Sequence, residues 1–145
     1  MTLDAYLTEW EHDAAFELTA LDTAARQTPL LHAKWWRYYS QERLRLKKVD
    51  SDYKLLYRQK WEYFLGKMDD TEREQLGWPP QPLKILSQNV AIYLDGDCDL
   101  QALVKKRVYV EELLRFLEDV IKQIHNRNYQ IKTALDYLRF AQGEL

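Results

Sequence analysis

The chain has 145 residues and a net charge of −2, and 46% of its residues are hydrophobic and 30% charged. This length and composition suit one globular domain or two small helical subdomains. No run of eighteen apolar residues occurs, which excludes a membrane-spanning helix. The N-terminus lacks a basic stretch followed by an apolar one, and the single Cys98 cannot form an internal disulfide, so we expect a protein of the reducing cytoplasm.

Residues that form tight turns are scarce in this sequence. The chain contains four Gly and four Pro, whereas a sheet of many short strands needs frequent turn residues. The composition therefore predicts long helices and an all-α fold.

Charge is segregated along the chain. Residues 1–27 have a net charge of −5, residues 28–67 of +6, residues 68–99 of −5 and residues 100–145 of +2. A basic block within a mildly acidic chain indicates one of two things. Either one face meets an anionic ligand, or the acidic and basic helices neutralise each other.

Two helices are predicted before Gly66. Apolar residues recur at helical spacing over 3–26, without Gly or Pro. Thr28-Pro29 is a typical helix start, because Thr accepts hydrogen bonds from exposed backbone amides and Pro suits the first helical position. No helix breaker follows before Gly66, so we expect one continuous helix over 29–65 and a helical hairpin. A helix of this length needs a partner along its apolar stripe.

Residues 66–82 form the predicted linker. Two glycines, two aspartates and the Pro-rich run Trp78–Pro82 disfavour regular structure there. We therefore predict three parts. These are an N-terminal helical hairpin with a basic aromatic helix over 1–67, a linker over 68–82, and a smaller helical bundle for oligomerisation over 83–145.

Three helices are predicted in the C-terminal part. A short helix over 83–94 ends at Asp95-Gly96-Asp97, and Asp97 or Asp99 can cap the next helix. Apolar residues then recur at steps of three and four over 100–124. Asn126-Arg127-Asn128 indicates a helix stop, since Asn tolerates the left-handed conformation, and a last helix runs over 129–142. We expect the last two helices to form the interface of a homo-oligomer.

No arrangement of residues typical of catalysis is found. Glu9 and His12 have the spacing of a carboxylate-bridged metal site, but the second such pair is missing. Asp95, Asp97 and Asp99 match the first ligands of a calcium loop, but its Gly and its final Glu are absent, so helix capping explains them better. The sequence contains no Gly-rich phosphate loop. We expect no enzyme activity, no metal site and no cofactor.

The segment 28–67 is the most informative part of the sequence. It holds nine of the nineteen aromatic residues, interleaved with bases. Proteins that bind single strands need both, because cations neutralise phosphates and flat rings stack on unpaired bases. In a projection at 100° per residue, an arc of about 100° forms an ordinary buried stripe. This stripe contains Leu31, Trp35, Tyr38, Tyr39, Leu46, Val49, Tyr53, Leu56, Tyr57 and Phe64.

The opposite side of this helix is basic. Trp36 and Trp61 project into an arc of about 140° that also holds six cations. The cations are Arg37, Arg43, Lys47, Lys48, Lys54 and Arg58. Lys60 projects into the apolar stripe, so its side chain must extend out of the stripe or lie at a gap between partners. Nucleic-acid contact, packing between subunits, and a solvated face with cation–π pairs all account for this pattern.

At this helix the sequence resembles the UvsY family of recombination mediators from tailed phages. Ala33-Lys34-Trp35 is similar to the family's Ser-Lys-Trp. The segment Tyr57–Gly66 is similar to the family's basic-x-basic element, which two aromatics and a Gly follow, but Lys and Arg are exchanged, as Arg58 and Lys60. Leu83–Ser87 and Ile121–Lys132 match further family segments, and the resemblance covers residues 30–67 and 83–140.

The resemblance implies a non-enzymatic protein that binds single-stranded DNA and forms a ring of six or seven subunits. It implies that the ring helps a RecA-like phage recombinase displace the phage single-strand-binding protein and nucleate filaments, in the cytoplasm of the infected bacterial host. The resemblance also implies that Arg58 and Lys60 contribute to DNA binding. The helical projection adds the other predicted single-stranded-DNA-binding residues, which are Lys34, Trp36, Arg37, Arg43, Lys47, Lys48, Lys54 and Trp61. The alternative is a helical adaptor whose basic face binds an acidic protein.

Overall fold

The computed structural model describes residues 1–143, and every regular element in that range is helical. The α-helices are α1 (Leu3–Ala14), α2 (Leu21–Phe64), α3 (Asp70–Gln75), α4 (Val90–Asp95), α5 (Cys98–His125) and α6 (Arg127–Ala141). Two 3-10 turns, Leu18–Ala20 and Ser87–Asn89, precede α2 and α4. The prediction of an all-α fold is confirmed.

The chain packs as two compact units. Unit 1 consists of Met1–Arg43 and the described part of Glu112–Leu145, and unit 2 consists of Leu44–Glu111. Helices α2 and α5 each contribute one part to each unit. The predicted division of the chain at the linker 68–82 follows sequence order, whereas each compact unit combines segments that are distant in sequence. The functional roles assigned to the two sides of the linker stay predictions.

In unit 1, α1 packs antiparallel to the first part of α2. The Tyr6 hydroxyl, near the start of α1, donates to the Glu42 carboxylate at 3.0 Å. Near the end of α1, Asp13 accepts a hydrogen bond from Lys34 at 2.7 Å. The partner numbers on α2 fall as those on α1 rise, which is the arrangement of the predicted helical hairpin.

Trp35 lies at the centre of unit 1. Its side chain is fully buried, and its ring meets Trp10 edge-on at a centroid distance of 5.6 Å. Buried residues of α5 complete this core, and they are Leu113, Leu117, Val120, Ile121 and Ile124. Leu117 and Ile121 belong to the helix over 100–124 that was predicted to form part of an interface between subunits, and they pack inside one chain.

Asp13 connects the hairpin by polar contacts. One carboxylate oxygen accepts from Lys34 Nζ at 2.7 Å and from Trp35 Nε1 at 3.0 Å. Burial alone would raise the pKa of Asp13, but the hydrogen bonds from Lys34, Trp35 and His12 outweigh it and hold the pKa below its ordinary value of 3.8. Asp13 is therefore ionised in the folded protein at neutral pH.

Helix α1 ends at Ala14, twelve residues before the predicted end of the first helix. Its last carbonyls, of Asp13 and Ala14, accept hydrogen bonds from the buried Arg127 at 3.4 and 3.3 Å. The prediction of one helix over 3–26 was wrong, because Arg127, which binds the carbonyls at this helix end, lies more than a hundred positions away in the sequence. No local signal marks the stop.

Helix α2 begins at Leu21 and continues through Pro29, which the sequence predicted as a helix start. Proline in a helix interior costs about 3 kcal/mol, because it removes a backbone hydrogen bond and its ring crowds the preceding turn. Pro29 and Ala25, whose carbonyl loses this bond, are both exposed, so this carbonyl lies on a solvent-facing part of the helix. Ala24, five residues before Pro29, is buried, and packing of this kind holds the segment in helical form.

Unit 2 has its own core of Val90, Leu94 and Leu100, against which Tyr53 and Leu56 of α2 pack. The segment predicted as a linker contains α3 and is fixed at its end. There the Tyr63 hydroxyl donates to the Pro79 carbonyl at 2.7 Å, and Arg73 donates to the Trp78 carbonyl at 2.9 Å.

Two helix boundaries in the second half differ from the prediction. The helix expected over 83–94 begins at Val90, because Leu86 is extended and a 3-10 turn follows it. The break between α5 and α6 lies at Asn126, as predicted, but Asn126 keeps right-handed angles. Among the described residues, only glycines have a positive φ, at Gly66, Gly77 and Gly143.

We expect Asp13→Asn to remove an acid-sensitive part of the stability. Because the folded state lowers the pKa of Asp13, its contribution is present above pH 3.8 and is lost as the pH falls through the folded pKa. The variant should lose about 1.5–3 kcal/mol at pH 7, the value of a hydrogen bond to a charged group. Urea unfolding at pH 7 and pH 3 measures both effects.

Asp22→Asn is the matched control, since Asp22 forms an exposed ion pair with Arg26 in the same unit. Its stability should stay within about 0.5 kcal/mol of wild type at both pH values. An Asp13→Asn curve parallel to that of the wild type between pH 7 and pH 3 would contradict the assignment.

Candidate nucleic-acid interface

All ten residues predicted to bind single-stranded DNA belong to α2, and eight of them are exposed. The exposed residues are Trp36, Arg37, Arg43, Lys47, Lys48, Lys54, Arg58 and Trp61. Lys34 is half-buried and Lys60 is buried. The helical projection therefore predicted correctly which side chains reach solvent at these eight positions, while their contact with DNA stays a prediction.

In unit 2, four of these residues form a ladder along α2. Lys47, Lys54, Arg58 and Trp61 lie within about 60° of the helix circumference, over about 21 Å of its length. Lys47 and Lys54 have no ion pair with any described residue. Two unneutralised ammonium groups and one indole thus face solvent on the same side of the helix.

Arg58 and Trp61 sit at the end of this ladder. The Arg58 guanidinium pairs with Glu62 at 3.0 Å and lies 3.9 Å from Glu72, and its side chain is still 54% exposed. Trp61 is 37% exposed, and the Lys67 ammonium lies 5.4 Å from its ring centre. An exposed i, i+4 pair such as Arg58–Glu62 contributes about 0.3–0.5 kcal/mol, so a phosphate can displace Glu62 at low cost.

In unit 1, α2 carries a pair of adjacent rings at its surface. Trp36 is 47% exposed and lies 5.3 Å from the ring of Tyr39, with the planes tilted by 37°. The Arg43 guanidinium covers the Tyr39 ring at 5.6 Å. Tyr39 was predicted to belong to the buried stripe, and the structure makes it half-buried. The i, i+3 spacing from Trp36 is the signal that could have assigned Tyr39 to this surface.

Tyr57 also departs from the prediction, since this member of the predicted buried stripe is 41% exposed. It follows the exposed Lys54 by three positions and precedes Trp61 by four, so it adjoins the ladder. A position at the edge of a helical stripe cannot be assigned to core or surface by angle alone.

Lys34 takes part in the hairpin contacts of unit 1. Its ammonium lies 2.7 Å from Glu9 and 2.7 Å from Asp13. Burial alone would lower the pKa of Lys34, but the hydrogen bonds to Asp13 and Glu9 raise it above 10.5. Contact with a phosphate would require Lys34 to leave two carboxylates that already neutralise it.

Lys60 occupies a closed site in unit 2. Its ammonium lies 2.9 Å from Asp99 and 3.1 Å from Asp97, and 4.3 Å from the ring centre of Trp78. Burial alone would lower the pKa of Lys60, and the hydrogen bonds to Asp99 and Asp97 raise it instead. The side chain neither extends out of the stripe to solvent nor lies at a gap, because Asp97 before α5 and Asp99 in its first turn reach it.

Asp97 has a second role at this turn. Its carboxylate accepts from the Leu100 amide at 3.0 Å, which caps the first turn of α5 as predicted. Within residues 1–143, no cluster of His, Cys, Asp or Glu is arranged to hold a metal ion. Nor is any helix in that range both long and apolar enough to cross a membrane.

The fold and this surface define a class of protein. It is an all-α protein whose long helix α2 presents cations and flat rings to solvent. The chain belongs to the UvsY family, described as "Recombination, repair and ssDNA binding protein UvsY", whose model matches residues 9–144.

Solved structures of one family member have the same fold. The chain is similar to the bacteriophage T4 recombination mediator protein UvsY in crystal lattice type II, with a TM-score of 0.79, 20% sequence identity and 98% of each chain covered. Lattice type IV gives a TM-score of 0.78 at 20% identity, covering 97% of this chain and 99% of that one. No curated protein matches the chain in a sequence search. The resemblance predicted from the motifs is confirmed.

We expect Lys60→Met to destabilise the protein. Methionine keeps the apolar stem but leaves the largely buried side chain of Asp97, which is 10% exposed, without a counter-charge. The cost should be on the order of 3 kcal/mol, at the low end for breaking a buried ion pair because Asp99 is exposed. Urea unfolding measures it.

Lys54→Met is the matched control, since it removes an exposed lysine from the same helix. Its stability should stay within about 0.5 kcal/mol of wild type. If both variants unfold at the same urea concentration, the contacts of Lys60 with Asp97 and Asp99 do not stabilise unit 2.

Proposed function

We propose that this protein is a recombination mediator that binds single-stranded DNA through the exposed face of α2. The observation that carries the proposal is the ladder of Lys47, Lys54, Arg58 and Trp61, where cations without strong partners adjoin an exposed indole. Membership of a recombination, repair and single-stranded-DNA-binding family supports it.

The ladder has the two features that a single strand requires. Cations that neutralise phosphates release condensed counterions, which gives affinity without regard to sequence. Exposed rings stack on bases that are unpaired, whereas a duplex hides its bases inside the helix. We therefore propose a preference for single strands over duplex DNA.

The proposed contact residues are the eight exposed ones: Trp36, Arg37, Arg43, Lys47, Lys48, Lys54, Arg58 and Trp61. We assign Lys34 and Lys60 an indirect role, because each is at least half-buried and contacts two carboxylates within the chain, whereas the Arg58 side chain is 54% exposed. In this proposal the basic pair of the family motif has divided functions, with Arg58 on the DNA and Lys60 in the fold.

The wider role follows from family membership. We propose that the protein helps a RecA-like phage recombinase displace the phage single-strand-binding protein and start filaments, in the cytoplasm of the infected bacterial host. No catalytic step is assigned to it. A shorter lag in filament growth on single strands covered by the binding protein is the expected effect.

The second candidate is an adaptor whose basic face binds an acidic protein. The unpaired Lys47 and Lys54 would serve either partner. The exposed Trp36 and Trp61 favour DNA, since stacking uses the flat faces of unpaired bases.

Replacing Lys47, Lys48 and Lys54 together by Ala should flatten the salt dependence of binding. Each phosphate that the protein no longer neutralises on a single strand lowers the slope of log K against log salt by about 0.7, so the slope of the triple variant should fall by about 2.

Trp61→Ala should weaken binding by roughly 1–3 kcal/mol and leave the slope unchanged, because stacking releases no counterions. Titration of labelled oligo-dT at four salt concentrations measures both.

The charge-matched control replaces Lys105, Lys106 and Lys132, three exposed lysines of α5 and α6, by Ala. Equal slopes for the two triple variants would mean that net charge, and not the face of α2, governs binding. Failure of the wild type to bind oligo-dT at low salt would favour the adaptor.

We also propose that the protein forms a homo-oligomeric ring of six or seven subunits through α6. Tyr129, Tyr137 and Phe140 are each 60% exposed or more. They lie within about 80° of the circumference of α6. Exposed apolar side chains on one helix face are typical of an interaction surface. The α5 part of the predicted interface is less suitable, because buried α5 side chains form the core of unit 1.

Tyr137→Ser with Phe140→Ser should therefore lower the mass of the oligomer and leave the helix content unchanged. Ile92→Ser is the control, since Ile92 is 72% exposed on α4. Analytical ultracentrifugation gives the masses. A monomeric wild type, or an unchanged mass in the double variant, would contradict the interface on α6.

A further inference from the structure

A shallow cleft of about 280 Å³ lies in unit 1 between α2 and α5. Its lining from α2 is Trp36, Tyr39 and Arg43, and its lining from α5 includes Ile121, Lys122 and His125. Sites that enclose a drug-sized ligand measure roughly 300–1,000 Å³, so this cleft suits one planar ring system. The predicted DNA-binding residues all belong to α2, so the α5 side of this cleft was not part of that prediction.

Two rings form the wall on the α2 side. Trp36 is half-exposed and rests against Tyr39, whose hydroxyl donates to Glu118 of α5 at 3.1 Å. Burial, together with this hydrogen bond, raises the pKa of Tyr39, so the ring is uncharged at neutral pH. Trp36 therefore rests against a ring that is itself anchored to α5, and about half of its own surface stays open.

The cleft has a cation on each side. Arg43 of α2 and Lys122 of α5 are exposed, and neither has an ion pair with any described residue. The carboxylate of Glu118 is the one acid of the lining, and it accepts the hydrogen bond from Tyr39. Two cations against one carboxylate leave a surplus of positive charge around an aromatic wall.

We propose that this cleft binds one unstacked base of single-stranded DNA, with the base on Trp36 and the flanking phosphates on Arg43 and Lys122. The inference rests on the proposed function and extends it from one helix to two. The cleft combines an aromatic wall, a small volume and flanking cations. These features match a nucleotide within a strand, where a phosphate lies on each side of every nucleoside.

An acidic peptide fits the same charges less well. Its carboxylates would satisfy Arg43 and Lys122, but they would leave the half-exposed face of Trp36 without a flat partner. A nucleobase covers that face, and base–aromatic stacking tolerates any of the four bases. The cleft should therefore add affinity without adding sequence specificity.

Photocrosslinking tests the position of the base. The full-length protein is irradiated with an oligo-dT that carries one 5-iodouracil, and the adducts are mapped by mass spectrometry. We expect adducts on Trp36 or Tyr39. Adducts confined to the ladder at Trp61 would overturn the proposal that the cleft binds a base and would leave the proposed function intact. Failure of the protein to bind the oligo-dT would overturn both proposals.

Matched variants test the cations. Lys122→Ala should lower the salt slope by about 0.7, whereas Lys132→Ala, which removes an exposed lysine from α6, should leave it unchanged. Trp36→Ala should weaken binding roughly 5- to 150-fold. Trp36→Ala and Lys122→Ala together should weaken binding less than the product of the single effects, because both remove one subsite.

Oligomer mass and melting temperature are measured on the same variants. Unchanged values with weakened binding support the cleft. Equal binding by Lys122→Ala and Lys132→Ala would overturn it, and so would a lower oligomer mass in Trp36→Ala, which would make the cleft an interface between copies of the chain.

Discussion

The ionised carboxylate of Asp13 is the contact on which the hairpin of unit 1 depends. It receives the ammonium of Lys34 and the indole N–H of Trp35, so one acid neutralises a cation and satisfies the one polar atom of the central ring. A buried Trp whose N–H lacked a partner would destabilise the core by about 1–3 kcal/mol. With Trp35 fixed inward, the neighbouring Trp36 must point about 100° away around the helix, which places it at the surface.

The lysines of α2 fall into two groups by the charges around them. Lys34 and Lys60 each lie between two carboxylates and hold helices or turns together. Lys47, Lys48 and Lys54 are exposed and have no such partners among the described residues. The net charge of residues 28–67 counts both groups alike. Substitutions in the first group should lower the stability of the fold, whereas substitutions in the second should flatten the salt dependence of DNA binding.

The sequence predicted what helical periodicity controls and missed what distant residues control. Exposure of eight site residues on α2 follows from angle alone, because that helix is long and regular. The stop of α1 at Ala14 depends on Arg127, and the site of Lys60 depends on Asp97 and Asp99. Such contacts join segments between 37 and 113 positions apart, and no local pattern records them. The continuation of α2 through Pro29 likewise reflects packing that overrides local preference.

Lys60 also bears on how this protein meets divalent cations. Its ammonium takes the place between Asp97 and Asp99 that a hard cation would otherwise find attractive. The chain thus supplies its own counter-ion there, covalently attached and already desolvated. A divalent cation would therefore meet a pair of carboxylates whose charge is already partly neutralised at the start of α5.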